Sequence, residues 1–276
     1  MTAMTQTRVP GRVAGKRVLV TGAARGMGRS HSARLAEEGA DCLLVDICDT
    51  PGGLEYELAT EDDLRQTAEL VAQHGRTAVA KVADVRDAQA LRSAVDEGAA
   101  ELGGLDAAVA NAGVLTVGTW DTTTPEQWRL VVDTNLIGAW NTCAAALPHL
   151  IAAGGGSLVN ISSSAGIKGT PLHTPYTAAK HGVVGMSLAL ANELAARSIR
   201  VNTVHPTGVA TGMAPPSMHQ LIAEQRPDLA PIFMNALPVL MTEAIDVSNA
   251  VLFLVSDEAR HVTGLQFTVD AGVTIR

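Results

Sequence analysis

Tyr176 and Lys180 stand four residues apart in the run Tyr176-Thr177-Ala178-Ala179-Lys180, and a Ser163-Ser164 pair lies thirteen and twelve residues upstream of the tyrosine. On a helix, residues four apart share a face, so an ammonium at Lys180 can sit beside the phenol of Tyr176. A phenol titrates near pH 10 and is a poor base at neutrality; a neighbouring cation favours its ionised form and makes proton abstraction accessible. The same pairing also decorates surface helices, so what decides its meaning is the set of elements around it.

Those elements alternate. Short β-branched runs at 17–21, 42–46, 77–82, 105–110, 156–162, 199–204 and 265–269 read as strands, and the segments between them carry helical patterns. Two helix starts are written plainly. Thr60 with Asp63 three residues on resembles a capping box, and Thr124-Pro125-Glu126-Gln127 combines a cap, a proline at the first helical position and a glutamine at the box position. Apolar strands separated by helices specify a parallel sheet covered on both faces, and right-handed crossovers make it doubly wound. The expected architecture is a single α/β Rossmann-type domain over 15–276, with a seven-stranded sheet and a flexible N-terminus at 1–14.

Composition agrees with a core-rich globular chain: 47% of residues are hydrophobic, 17% are charged and only 3% are aromatic. The net charge of −8 comes without any lysine-arginine block, which argues against nucleic acid or an anionic membrane as the main partner. Cys42, Cys48 and Cys143 lack metal-ligand spacing, no metal site is expected, and reduced cysteines suit the cytoplasm. There is no signal-peptide pattern and no uninterrupted apolar run of membrane-spanning length, so a cytoplasmic protein is expected.

Directly after the first strand comes Thr21-Gly22-Ala23-Ala24-Arg25-Gly26-Met27-Gly28. Glycines placed between a strand and a helix let the backbone turn sharply and approach a pyrophosphate, which the helix N-terminus then binds. The spacing Gly-x-x-x-Gly-x-Gly after a threonine resembles the short-chain dehydrogenase/reductase family. Further motifs follow in the family's order: Asp84-Val85, Asn111-Ala112-Gly113, Asn135, the Pro206 to Thr211 segment and Val269 to Gly272. The resemblance covers roughly 15–276. It implies that Asp84 and Val85 meet the adenine, that Asn111, Ala112 and Gly113 line the cofactor, and that Pro206, Val209 and Thr211 contact the nicotinamide amide and pyrophosphate. It further implies that Ser163 hydrogen-bonds the reacting oxygen, Tyr176 moves the proton, Lys180 binds the nicotinamide ribose and Asn135 holds a relay water.

Asp46 closes the second strand eighteen residues after Gly28, where a carboxylate can accept hydrogen bonds from an adenosine ribose and repel a 2′-phosphate. Arg25 points the other way, because a basic residue before the second glycine often marks NADP use in the family. NAD is the expected cofactor. An NADP-dependent ketoreductase and a non-catalytic dinucleotide sensor are the alternatives.

Thirteen residues, 47–59, separate Asp46 from the helix beginning at Thr60, longer than the usual connection of two to six. Pro51-Gly52-Gly53 is followed by Leu54, Tyr56 and Leu58, an alternation that needs something to cover near the adenosine. Val45 to Cys48, Ala23 to His31 and His205 to Val209 together resemble the mycofactocin-coupled, carveol-dehydrogenase-like subgroup. That resemblance implies an NAD that exchanges poorly and a separate redox partner that regenerates it.

Met213, Met218, Phe233 and Met234 fall in a variable segment, 212–238, which forms the substrate lid in relatives. Their adaptable apolar side chains suit a small apolar, terpenoid-like secondary alcohol or its ketone. His173 is read as a solvated loop residue or part of that pocket, and His205 as structural. Trp120, Trp128 and Trp140 are read as core or as the interface of a homotetramer, the assembly that the resemblance implies.

Overall fold

The computed structural model describes residues 11–213 and 215–276. The runs at Arg17–Thr21 (β1), Asp41–Asp46 (β2), Ala78–Val82 (β3), Ala107–Ala110 (β4), Gly156–Ile161 (β5), Ile199–Pro206 (β6) and Gln266–Val269 (β7) form one parallel sheet in the order β3-β2-β1-β4-β5-β6-β7, with the five inner strands buried and the two edge strands partly exposed. β1 pairs with both β2 and β4, so the strand order reverses at β1 and opens a crevice at the carboxyl ends.

The helices are Gly26–Glu37 (α1), Glu61–Gln73 (α2), Ala88–Leu102 (α3), Pro125–Val132 (α4), Gly138–Ala152 (α5), Thr174–Leu194 (α6), Pro216–Gln220 (α7) and Ala244–Val255 (α8). Both capping boxes form. Asp63 N donates to Thr60 Oγ1 at 3.3 Å, and Gln127 N donates to Thr124 Oγ1 at 3.2 Å, each answered by a bond in the reverse direction. Two aliphatic cores cover the two faces of the sheet. One joins α1, α2 and α8 to Val18, Val20 and Leu44; the other joins α3, α5 and α6 to Leu19, Leu43 and Leu158.

Three expectations are adjusted. Against the expectation of a flexible N-terminus at 1–14, the chain is tied down before Gly15: Val13 is buried and its N–H donates to the Glu38 carbonyl at 3.2 Å; residues 1–10 of that segment lie outside the described residues. The helical stretch capped by Thr124 runs on to Ala152 with its register shifted by a π turn at Asp133–Ile137, which no sequence signal marked. Last, no tryptophan is core: Trp120 is 91% exposed, and Trp128 and Trp140 are 41% and 45% exposed.

Candidate active site

The crevice beside β1 is built on close backbone approach. A Cβ at Gly28 would clash with the Gly22 carbonyl, and one at Gly22, whose φ is +65°, would lie 2.8 Å from Ala112 Cα. Only glycine lets the turn fold this tightly. Arg25 at the N-cap of α1 offers no side-chain cap, so the first-turn amides remain free for an anion.

Asn111 fixes the opposite wall. Its Nδ2 donates to the Thr21 and Gly22 carbonyls at 3.0 and 3.1 Å, and its buried Oδ1 has no partner in the protein. Ala112, Gly113 and Asn111 line the cleft with Gly22, Gly26 and Met27; Thr211 closes it from the far side, 3.3 Å from where a Gly26 Cβ would stand. Gly28 lies beneath the turn; Pro206 ends β6 and Val209 bridges to Thr242, and these three are not on the cleft wall.

Asp46 is buried at the end of β2 and lines the cleft. Ala24 N donates to its Oδ2 at 2.9 Å and Cys48 N to its Oδ1 at 3.3 Å, which orients the carboxylate while each oxygen keeps a further lone pair. Asp84 and Val85 also line the cleft, but the Asp84 carboxylate is taken up by Arg86 at 2.6 Å. The glycine cradle, the bare helix start, the orphaned Asn111 oxygen and the Asp46 carboxylate together fit a dinucleotide.

The insertion at 47–59 reaches across the cleft. Leu115 N donates to Tyr56 Oη at 2.8 Å, and Arg25 donates to the Glu57 carbonyl at 2.7 Å while standing 5.8 Å from the Tyr56 ring centroid. Leu54 and Leu58 pack on Val114, Leu130 and Val131, the same three residues that support Tyr176. The segment therefore straps the cleft from Asp46 to the tyrosine. Arg25 belongs to this strap, a role its position in the glycine turn did not reveal.

Ser163, Tyr176, Lys180 and Asn135 converge beyond the ends of β4 and β5. Lys180 Nζ donates to the Ile161 carbonyl at 2.8 Å, and Ser162 Oγ donates back to the Lys180 carbonyl at 3.1 Å, locking α6 against β5. Lys180 Nζ lies 5.4 Å from the Tyr176 ring centroid. The π turn carries Asn135, whose Nδ2 donates to the Val114 and Val131 carbonyls, each at 2.8 Å. Its Oδ1 is buried and unpartnered; a Cβ at Gly113 would lie 2.7 Å from that oxygen and 3.7 Å from Lys180 Nζ, so both groups face the same turn. Ser163 Oγ accepts from Ala165 N at 3.1 Å, which leaves its own proton free to donate.

Burial governs the titrations here. It pushes the Tyr176 phenol up to about 12, with the Ser163 hydroxyl pulling downward, and it pushes the Lys180 ammonium down to about 7. The expectation that the lysine simply lowers the phenol is thereby corrected for the protein alone, because a site poor in water penalises the charged form of both groups.

Two further residues hold this site: His205, read from the sequence as structural, and Lys168, which its sequence context did not single out. His205 Nδ1 donates to the Ser163 carbonyl at 2.8 Å, and its Nε2 accepts from Thr203 Oγ1 at 2.7 Å, so β6 pins the serine backbone. Lys168 Nζ donates to the carbonyls of Ile232 (3.1 Å), Val273 (2.7 Å) and Arg276 (3.3 Å), tying the serine loop to the lid and to the last turn of the chain. His173 is buried rather than solvated. Met213 lines the cleft, whereas Met234 is half exposed. No group of metal-ligating side chains occurs among the described residues, and no helix there is long and apolar enough to cross a membrane.

Comparison with known proteins gives a consistent set. The sequence profile of short chain dehydrogenase matches residues 16–221. (−)-trans-Carveol dehydrogenase of Rhodococcus erythropolis is 46% identical over 276 residues, 96% of this chain and 99% of that protein. The crystal structure of a short chain dehydrogenase from Mycobacterium paratuberculosis bound to NAD superposes with a TM-score of 0.93 at 45% identity, covering 96% of this chain and all of that one. A carveol dehydrogenase from Mycobacterium avium in complex with NAD gives 0.89 at 45% identity, again covering 96% of this chain and 100% of that one.

Proposed function

The chain belongs to the short-chain dehydrogenase family, and from that premise we propose that it is an NAD-dependent oxidoreductase interconverting an apolar secondary alcohol and its ketone. The observation that carries this is the convergence of Ser163, Tyr176, Lys180 and Asn135 beside the glycine cradle. When bound, NAD supplies the carbon that accepts a hydride from the carbinol.

Tyr176 takes the hydroxyl proton as the carbinol C–H bond gives up its electron pair. Ser163 donates to the oxygen on which charge changes, an oriented dipole whose direction is set in advance by His205 and Ala165. Lys180 and Asn135 face the Gly113 turn together, an arrangement suited to a water that passes the phenol's proton onward. Asp46 would hold the adenosine ribose and disfavour a 2′-phosphate. Arg25 is committed to the insertion, which weakens the case for NADP.

The strap at 47–59 supports a further reading, an NAD that leaves slowly and is recycled in place by a separate redox partner. Exposed Trp128, Ile137, Trp140 and Leu188 on α4, the π turn, α5 and α6 suit a subunit interface in a homotetramer. The unpaired cysteines suit the cytoplasm. Mass analysis of gently purified protein for bound NAD, followed by single-turnover assays with apolar secondary alcohols, tests the whole proposal; a protein that neither carries nor binds NAD would overturn it.

A further inference from the structure

A buried imidazole normally satisfies both ring nitrogens, and His205 does so. His173 does not: it is 6% exposed, its Nε2 is enclosed, and no protein group bonds that atom. His31 also has an unpartnered Nε2, but its Nδ1 is held by Ser248 between α1 and α8, in the aliphatic core. The surroundings of His173 are different. It is the N-cap of α6, three residues before Tyr176, and its ring meets the lid's Phe233 edge-on with centroids 5.7 Å apart.

The chain is bent to put it there. Leu172 adopts a left-handed φ of 65°, held by Gly118 N donating to its carbonyl at 3.0 Å. Strain of this kind in a leucine persists where neighbouring segments impose it, and it collects at ligand sites. The β4–α4 loop thus holds the residue just before His173, and the lid's Phe233 packs on the imidazole itself at the start of α6.

We propose that His173 is a second recognition point of the substrate pocket, and that the preferred substrate carries, besides its reacting alcohol or ketone, a further uncharged oxygen function that hydrogen-bonds this imidazole. The proposal rests on the dehydrogenase reading above and narrows its substrate class from plain apolar rings to oxygenated ones. Burial pushes the imidazole down to about 4, so at neutral pH it is uncharged, with one N–H and one lone pair. It can therefore serve a hydroxyl, ketone, ether or ester, and it offers no charge to a carboxylate. Discrimination follows because an analogue without the oxygen leaves the buried nitrogen unpaired, a penalty that size-matching cannot remove.

The test uses purified protein with its cofactor and size-matched pairs: 4-hydroxycyclohexanone against 4-methylcyclohexanone, and trans-1,4-cyclohexanediol against 4-methylcyclohexanol. Wild type should favour the oxygenated member by at least about tenfold in single-turnover kcat/KM. His173→Leu should erase that ratio by slowing only the oxygenated member, and His173→Gln should restore part of it. Nitrogen-15 spectra of the histidine rings supply a readout that needs no turnover and no variant: the His173 signals should shift with 4-hydroxycyclohexanone and stay with 4-methylcyclohexanone. Equal turnover within each pair, or no shift with any oxygenated ring, overturns the proposal. A shift in a protein that oxidises and reduces nothing upholds the His173 site and overturns the dehydrogenase reading instead.

Discussion

The Lys180 ammonium stands 5.4 Å from the centroid of the Tyr176 ring, in a site where burial lowers the one pKa to about 7 and raises the other to about 12. Between pH 7 and 10.5 the unfolded chain therefore holds a proton on Lys180 that the folded chain lacks. This contribution makes stability rise with pH across that window, and it is lost as pH falls towards 7. Between pH 10 and 12 the folded phenol keeps a proton that the unfolded one releases, so its contribution falls. In cofactor-free protein, urea unfolding should show a rise between pH 7 and 9 of at most about 1.4 kcal/mol per unit from this lysine. Lys180→Met should flatten it; an unchanged slope would refute the assignment.

Tyr176→Phe should lower turnover by about 10²- to 10⁴-fold while leaving NAD affinity nearly unchanged, because it removes the proton acceptor and little else. Ser163→Ala should cost about 10²- to 10³-fold, as expected for one oriented donor to a charged oxygen. Pre-steady-state rates alongside cofactor titration check both.

Asp46→Ala should relax the preference for NAD over NADP by tenfold or more, since it removes a group that repels a 2′-phosphate. If NADP is already used well and the variant changes nothing, the ribose assignment is wrong.

Tyr56→Phe deletes the oxygen that accepts from Leu115 N and should loosen the strap at that point. The expected result is bound NAD lost faster on desalting, by several-fold, with the single-turnover chemical step little altered. Retention equal to wild type would mean that packing of Leu54 and Leu58 alone holds the segment.

Lys168→Met frees three backbone carbonyls in the lid and the last turn. On the reading of 212–238 as the substrate lid, KM for apolar alcohols should rise by about tenfold with kcat changed less, since such a lid would position substrate without touching the proton path. Steady-state kinetics separates the two effects.

The strands, both capping boxes and the glycine turn were legible because each is local: β-branched runs, a threonine three residues from its partner, and glycines that a tight turn demands. The approach of Lys180 to Tyr176 was legible from spacing on one helix, whereas Ser163 and Asn135 were placed beside them by the family resemblance and not by any local spacing. The strap was visible only as an excess of residues after Asp46; that Arg25 and Leu115 would fasten it is a relation between segments far apart in the chain. His205 beneath Ser163, Lys168 under the lid and the unpaired His173 likewise carry no spacing signal. The sequence by itself determined which elements form and which chemistry-bearing side chains they carry. Only the tertiary structure decided which of those side chains lose water and which find partners, because burial and long-range hydrogen bonds depend on where the other segments pack.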